Sequence, residues 1–222
     1  MVICMNETTI IEDIEYEETK KRPYFYFKRI FDFLVSLFAL VILSPFFLVI
    51  AIVIKIDSKG SVFFKHKRIG KNGKYIYIYK FRTMVENAEE LIKKFDKKQM
   101  KEFEKNFKLE NDPRITRVGK FLRKTSLDEL PQLINILKGD MSLVGPRPVV
   151  DGEIDKYGFK KNKFLSVTPG LTGYWACNGR SDIDYDKRIE MELYYVDHCS
   201  LILDIKIILK TVVAVIKKEG AK

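Results

Sequence analysis

The sequence predicts a mainly α-helical membrane protein carrying one small β-hairpin. Three observations lead there. An apolar block runs from Phe31 to Ile56. Two β-forming runs flank the turn residues Gly70 and Asn72-Gly73. Leu127, Leu130, Leu133, Ile134 and Leu137 repeat at helical spacing up to Gly139. A chain of 222 residues is long enough for one ordinary domain with a real core.

The apolar block reads FDFLVSLFALVILSPFFLVIAIVIKI, with Asp32 and Lys55 its only charges. About 20 apolar residues span a bilayer as a helix, so this block is long enough to do so. It lies too far into the chain for a signal peptide. Ser44-Pro45 falls near its middle, where proline removes a backbone hydrogen bond and a neighbouring hydroxyl helps satisfy the freed groups. Both flanks are basic: Lys20, Lys21, Arg22, Lys28 and Arg29 before it, and Lys55, Lys59, Lys65, Lys67 and Arg68 after it. The positive-inside bias then favours both ends on the cytoplasmic side. A helix broken at Ser44-Pro45 that enters and leaves by one face fits both features; an ordinary kinked span stays open.

Before the block, Glu12, Asp13, Glu15, Glu17 and Glu18 mark residues 1–22 as a mobile N-terminal tail. After it, Val62-Phe63-Phe64 and Tyr75–Tyr79 are the arms expected of the hairpin. Residues 86–108 are charged and helix-forming, and Asn111-Asp112-Pro113 ends them. Leu201–Ile216 is an apolar helix with interspersed Asp204, Lys206 and Lys210. Such a helix either packs on the domain or lies on a membrane surface.

Composition narrows the chemistry. A net charge of +10 attracts polyanions: nucleic acid, anionic lipid or phosphorylated substrates. The membrane block makes nucleic acid a poor partner. Cys4, Cys177 and Cys199 are scattered, as are His66 and His198, so zinc, disulfide and Ser–His or Cys–His chemistry lack material. Any reaction should run on carboxylates and cations.

Asp128-Glu129 is the candidate pair. Alone it reads as a helix cap, since Ser126-x-x-Glu129 matches a capping box opening a helix near Ser126. Its surroundings add a second reading. Arg114, Arg117, Lys120, Arg123 and Lys124 precede it; Gly145-Pro146-Arg147-Pro148 and Gly179-Arg180 follow. Arginine in a rigid loop is a good phosphate ligand. Phosphoryl transfer needs cations to offset the charge on the transferred group, a nucleophile, and often Mg²⁺ held by carboxylates. An acid held among arginines is expected to stay ionised.

The motifs now accumulate in order: Lys28-Arg29-x-x-Asp32, Ser44-Pro45, Lys80-Phe81-Arg82-Thr83-Met84, Asp112-Pro113-Arg114-Ile115-Thr116, Arg123 through Gln132, Gly139 through Pro148, and Pro169-Gly170-Leu171-Thr172-Gly173. With them the chain resembles the bacterial sugar transferases, the monotopic polyprenyl-phosphate sugar-phosphate transferases, from about Lys28 to near its C-terminus. The resemblance implies a re-entrant membrane helix over 23–57 and a cytoplasmic catalytic domain over 58–222 with interfacial helices, on the bacterial inner membrane. It implies that Asp128 attacks the β-phosphate of a UDP-sugar, that UMP leaves, and that undecaprenyl phosphate takes the sugar phosphate from the enzyme. Glu129, with Asp128, would hold Mg²⁺. Lys80, Arg82, Arg123, Pro146, Arg147 and Arg180 would line the substrate site. The short form and the stretch from Asn178 to Ile205 resemble members that transfer galactose or glucose phosphate, as the first membrane step of exopolysaccharide, capsule or O-antigen synthesis. A homodimer is left open. The competing reading is a non-catalytic basic adaptor on the membrane surface.

Overall fold

The computed structural model describes residues 7–93, 95–106, 109, 112–179 and 183–217. The first helix, α1 (Glu7–Asp57), is 51 residues long. Its helical backbone starts inside the stretch expected as a tail, where residues 7–22 contain neither Gly nor Pro. It also continues through Ser44-Pro45, so the dipeptide does not interrupt the helix. Pro45 has no N–H to give to the Val41 carbonyl, and the Ser44 hydroxyl donates to that carbonyl instead at 2.8 Å. Pro23–Asp57 has a peak mean hydropathy of 3.1, and only 11% of that window is buried. A core helix would be covered; here Phe38, Val41 and Leu48 are left exposed.

Both halves of α1 nevertheless rest on the rest of the fold. Tyr24, Phe25, Val35 and Leu43 pack on the main core, built around Ile78, Leu133, Ile136, Met141 and Tyr195. Ile50 and Ile54 pack with Phe81 and Leu122 in a second cluster. The charged residues at the start are anchors. Lys28 pairs with Asp204 at 2.6 Å, and Asp32 accepts from the Ser142 hydroxyl at 2.7 Å and the Leu143 amide at 3.2 Å.

The hairpin forms as expected. β1 (Phe63–Ile69) and β2 (Tyr75–Phe81) pair antiparallel, from Phe63 opposite Phe81 to Ile69 opposite Tyr75. Asn72 and Gly73 take positive φ values of 55° and 75° in the turn, a region that Asn and Gly tolerate. The charged stretch after it divides into α2 (Ala88–Ile92) and α3 (Lys97–Asn106) rather than one helix.

Next come α4 (Arg117–Lys124) and α5 (Gln132–Lys138). Gly139, at φ 91°, closes α5, and Arg29 donates to the Ile136 and Leu137 carbonyls at 2.5 and 2.8 Å. A short parallel pair, β3 (Ser142–Val144) and β4 (Gly170–Thr172), had no periodic signal in the sequence. Its strands touch: a Cβ on Gly170 would sit 2.1 Å from the Gly145 nitrogen. Between them lie α6 (Asp151–Ile154), a 3-10 stretch and α7 (Lys161–Leu165).

The chain finishes with α8 (Tyr185–His198) and α9 (Leu201–Lys217). Asp204, Ile207 and Ala214 bury one face of α9, while Ile202 and Leu209 on another remain 69% and 63% exposed. The packed arrangement therefore holds for one face of α9 and leaves an apolar face open.

Candidate active site

The dyad is held by the junction of α4, β2 and α5. Thr116 caps α4, its hydroxyl oxygen accepting from the Gly119 amide at 2.9 Å. A Cβ on Gly119 would lie 2.1 Å from the Thr83 carbonyl, so only glycine lets α4 pack against that backbone. This approach brings the Arg123 Nε within 2.8 Å of the Thr83 hydroxyl.

After α4 the chain does not enter a new helix at Ser126, as the capping-box reading expected. Ser126 adopts φ 57° with no side-chain cap, and Leu127–Glu129 forms one 3-10 turn. Thr125 ends α4, and the left-handed residue then redirects the chain. The α-helix starts only after Pro131, which suits a first turn. A non-glycine residue at positive φ beside two carboxylates is local strain held by its surroundings. Leu127 supplies part of that hold, packing into the cluster with Ile54, Phe81 and Leu122.

Asp128 is buried, and Glu129 forms an ion pair with the Lys80 ammonium at 2.5 Å. Burial pushes the Asp128 carboxyl up, to about 6. Lys80 opposes this most, Glu129 adds to it, and Arg123 opposes it too. Desolvation outweighs the cations and sets the carboxyl above its usual range. The group is still ionised at neutral pH.

A small cleft opens beside the dyad, lined by Arg68, Lys80, Glu129, Gln132, Arg147 and Leu171. Lys80, Glu129 and Arg147 are thus brought together as expected. Arg123 acts on Asp128 from the α4 side. Arg82 is directed elsewhere: its guanidinium donates to the carbonyls of Lys59 and Ser58, the latter at 2.7 Å, and braces the end of α1. Pro146 is fully buried and its carbonyl accepts from the Gly170 amide at 2.8 Å, so its part is to brace the loop. Arg180 lies outside the described residues.

Arg68 is the cleft cation that sequence reasoning missed, counting it only as a flanking charge. Strand parity was the available signal. Phe64 stands opposite Lys80, His66 opposite Ile78 and Arg68 opposite Ile76, so Arg68 and Lys80 share a face. The cations there are concentrated enough to hold His66 down at about 4, by burial first and then by Arg68, Lys80 and Arg147. Such a cleft favours an anionic ligand.

A metal site was also expected. Among the described residues no group of three or more His, Cys, Asp or Glu side chains could hold a metal ion. Mg²⁺ asks for less, since it takes one or two carboxylates and completes its shell with substrate phosphates and water. Adjacent carboxylates at 128 and 129, beside a cationic cleft, fit that donor set.

The bacterial sugar transferase profile matches residues 23–218. An undecaprenyl-phosphate galactose phosphotransferase of Salmonella typhimurium is 46% identical over 204 residues, 90% of this chain and 43% of that protein. Exopolysaccharide production protein ExoY of Sinorhizobium fredii is 45% identical over 87% of both chains. A UDP-glucose:undecaprenyl-phosphate glucose-1-phosphate transferase of Klebsiella pneumoniae is 42% identical over 84% of this chain. The chain thus spans under half of the Salmonella and Klebsiella proteins (43% and 39%) but most of ExoY. In each of these alignments the matched part takes in more than four-fifths of the chain, and with a profile match over residues 23–218 this chain belongs to the bacterial sugar transferase family.

Proposed function

We propose that this chain is a phosphoglycosyl transferase that moves a hexose-1-phosphate from a UDP-sugar to undecaprenyl phosphate. The observation that carries the reading is Asp128: a buried carboxylate, ionised at neutral pH, between Lys80 and Arg123 and beside a cationic cleft. With a value of about 6, roughly 30 molecules are ionised for each protonated one at pH 7.5. Burial strips water from this oxygen and leaves it a better nucleophile.

In the first step an Asp128 oxygen bonds to the β-phosphorus and the bond to the bridging oxygen breaks. UMP departs with that oxygen and its charge. In the second step a phosphate oxygen of undecaprenyl phosphate bonds to the same phosphorus. The bond to Asp128 breaks, the carboxylate is restored, and a lipid diphosphate sugar leaves. Lys80, Arg68 and Arg147 offset the phosphate charge, and Arg123 steadies Asp128. Asp128 and Glu129 would hold Mg²⁺, which offsets further charge on the phosphates when bound. Galactose or glucose phosphate is the favoured cargo, the one named for the Salmonella relative and the other for the Klebsiella relative. We also infer that α1 is re-entrant, with the catalytic domain on the cytoplasmic face. Support comes from its two basic flanks and from both of its halves resting on one domain.

UMP release from purified protein given UDP-galactose or UDP-glucose, Mg²⁺ and undecaprenyl phosphate tests the activity. Asp128→Asn should lose at least about 10³-fold. Full activity in that variant refutes the mechanism, and liposome binding without UMP release from any UDP-sugar would instead favour the adaptor. Cysteines substituted at Lys21 and Lys59 should both be shielded from an impermeant reagent in intact cells. Opposite accessibility refutes the re-entrant topology.

A further inference from the structure

Outside the dyad, a buried pair of opposite charges lies behind Arg147. Glu192, on α8, is 1% exposed, and both its oxygens accept from the Arg147 amide, at 3.2 and 3.3 Å. Arg188, one turn earlier on the same helix, faces it and is itself 7% exposed. The loop that Arg147 belongs to is also held by main-chain bonds. The Gly145 amide donates to Thr172, the Gly170 amide to Pro146, and the Ile69 amide to Val149. At Arg147 the ladder runs out of strand, and a carboxylate replaces the missing carbonyl.

Burying a carboxylate this deeply is costly unless it is paired and hydrogen-bonded, and a Leu or Met would fill the volume more cheaply. An unpaired buried amide would also be costly. The pairing of the two satisfies the amide, offsets part of the carboxylate's cost and fixes the main chain that carries one guanidinium of the cleft. We propose that Glu192 is a positioning residue that holds Arg147 in place for the phosphate groups of the substrate. This rests on the reading of Arg147 as a phosphate-binding residue of the transferase. Arg188, stacked 4.6 Å from the Trp175 ring centre and bonded to Glu153 at 3.4 Å, supplies the charge that lets Glu192 stay in the interior.

The test is a double-mutant cycle in UMP release, with Glu192→Leu, Arg147→Ala and the combination, and Glu192→Gln as the conservative variant. Glu192→Leu should lose about 30-fold in kcat/KM, most of it in KM for the UDP-sugar, while Glu192→Gln, which keeps an acceptor oxygen, stays within about 3-fold. In the Arg147→Ala background Glu192→Leu should add less than about 2-fold. A loss of equal size with and without the Arg147 guanidinium overturns the proposal, as does wild-type KM in Glu192→Leu. UDP affinity by calorimetry repeats the cycle without turnover. It therefore stands apart from the transferase reading, which fails instead if wild-type protein releases no UMP.

If Glu192→Leu does not fold, the pH dependence of KM decides. Burial pushes Glu192 up to about 7, opposed by Arg188 and by the amide and charge of Arg147; Tyr157, from the 3-10 stretch, also faces it. Wild-type KM should rise as pH falls through about 7, because protonation weakens the acceptor. In Glu192→Gln it should be flat, and identical profiles in both proteins overturn the proposal.

Discussion

Replacing Lys80 with Met separates the electrostatics of Asp128 from the binding of substrate. Lys80 is the largest influence holding Asp128 down, and its ammonium sits 2.5 Å from Glu129. Its loss leaves burial and the Glu129 charge, both of which raise Asp128, opposed chiefly by Arg123. Removing an opposite charge at such range raises a carboxyl by about 1–2 units. The apparent value would then move from about 6 to roughly 7.5. At pH 6.5 the ionised fraction falls from about three-quarters to about one-tenth, a loss of about 8-fold; at pH 7.5 the loss from ionisation is only about 2-fold. The assay is the pH profile of kcat for UMP release from pH 5.5 to 9. A pH-independent drop is also expected, since Lys80 offsets phosphate charge, but the diagnostic is the shift of the acid limb to higher pH. An acid limb that stays in place in Lys80→Met refutes the assignment of that limb to Asp128 beside Lys80.

Three further outcomes follow from the same geometry. Because Asp128 is held above its ordinary value, its ionisation works against folding, with the cost absent below about pH 4 and complete above about pH 6. Asp128→Asn should therefore gain about 1–3 kcal/mol at pH 7 and melt about 3–8 °C higher while inactive, and this gain should vanish near pH 4; an unchanged melting temperature at both pH values counts against the burial cost. Arg82→Met should lose about 1–3 kcal/mol of stability, from the carbonyls it leaves at the end of α1, yet change KM for the UDP-sugar by less than about 3-fold; a large KM effect in a normally stable variant would put Arg82 back in the substrate site. Gly170→Ala brings a Cβ within 2.3 Å of the Thr172 carbonyl as well as onto Gly145, and should cost at least about 3 kcal/mol in chemical denaturation; near-normal stability would refute the close packing of β3 on β4.

Much of the architecture was legible because it obeys short-range rules. An apolar run of bilayer length, a hairpin turn at Asn72-Gly73, and a glycine closing a helix each leave a local pattern. The dyad was legible as residue types among cations. Its conformation was not: Ser126-x-x-Glu129 matches a capping box, but the end of α4 and the seat of Leu127 in a cluster from three other segments impose a left-handed residue there. Nor was the upward push on its carboxyl, since desolvation depends on what packs around Asp128, and no spacing encodes that.

The sequence by itself determined the membrane block, the hairpin, the carboxylate pair and the basic character that points to an anionic substrate. Only the tertiary structure decided which cations serve the pair. Arg68 reaches the cleft because two antiparallel strands put it on the face of Lys80; Arg82, two residues from Lys80, turns instead to the end of α1. Glu192 meets Arg147 across 45 residues. Such partners are set by how strands and helices fold back on one another, and long-range contacts of that kind have no periodic signature in a single sequence.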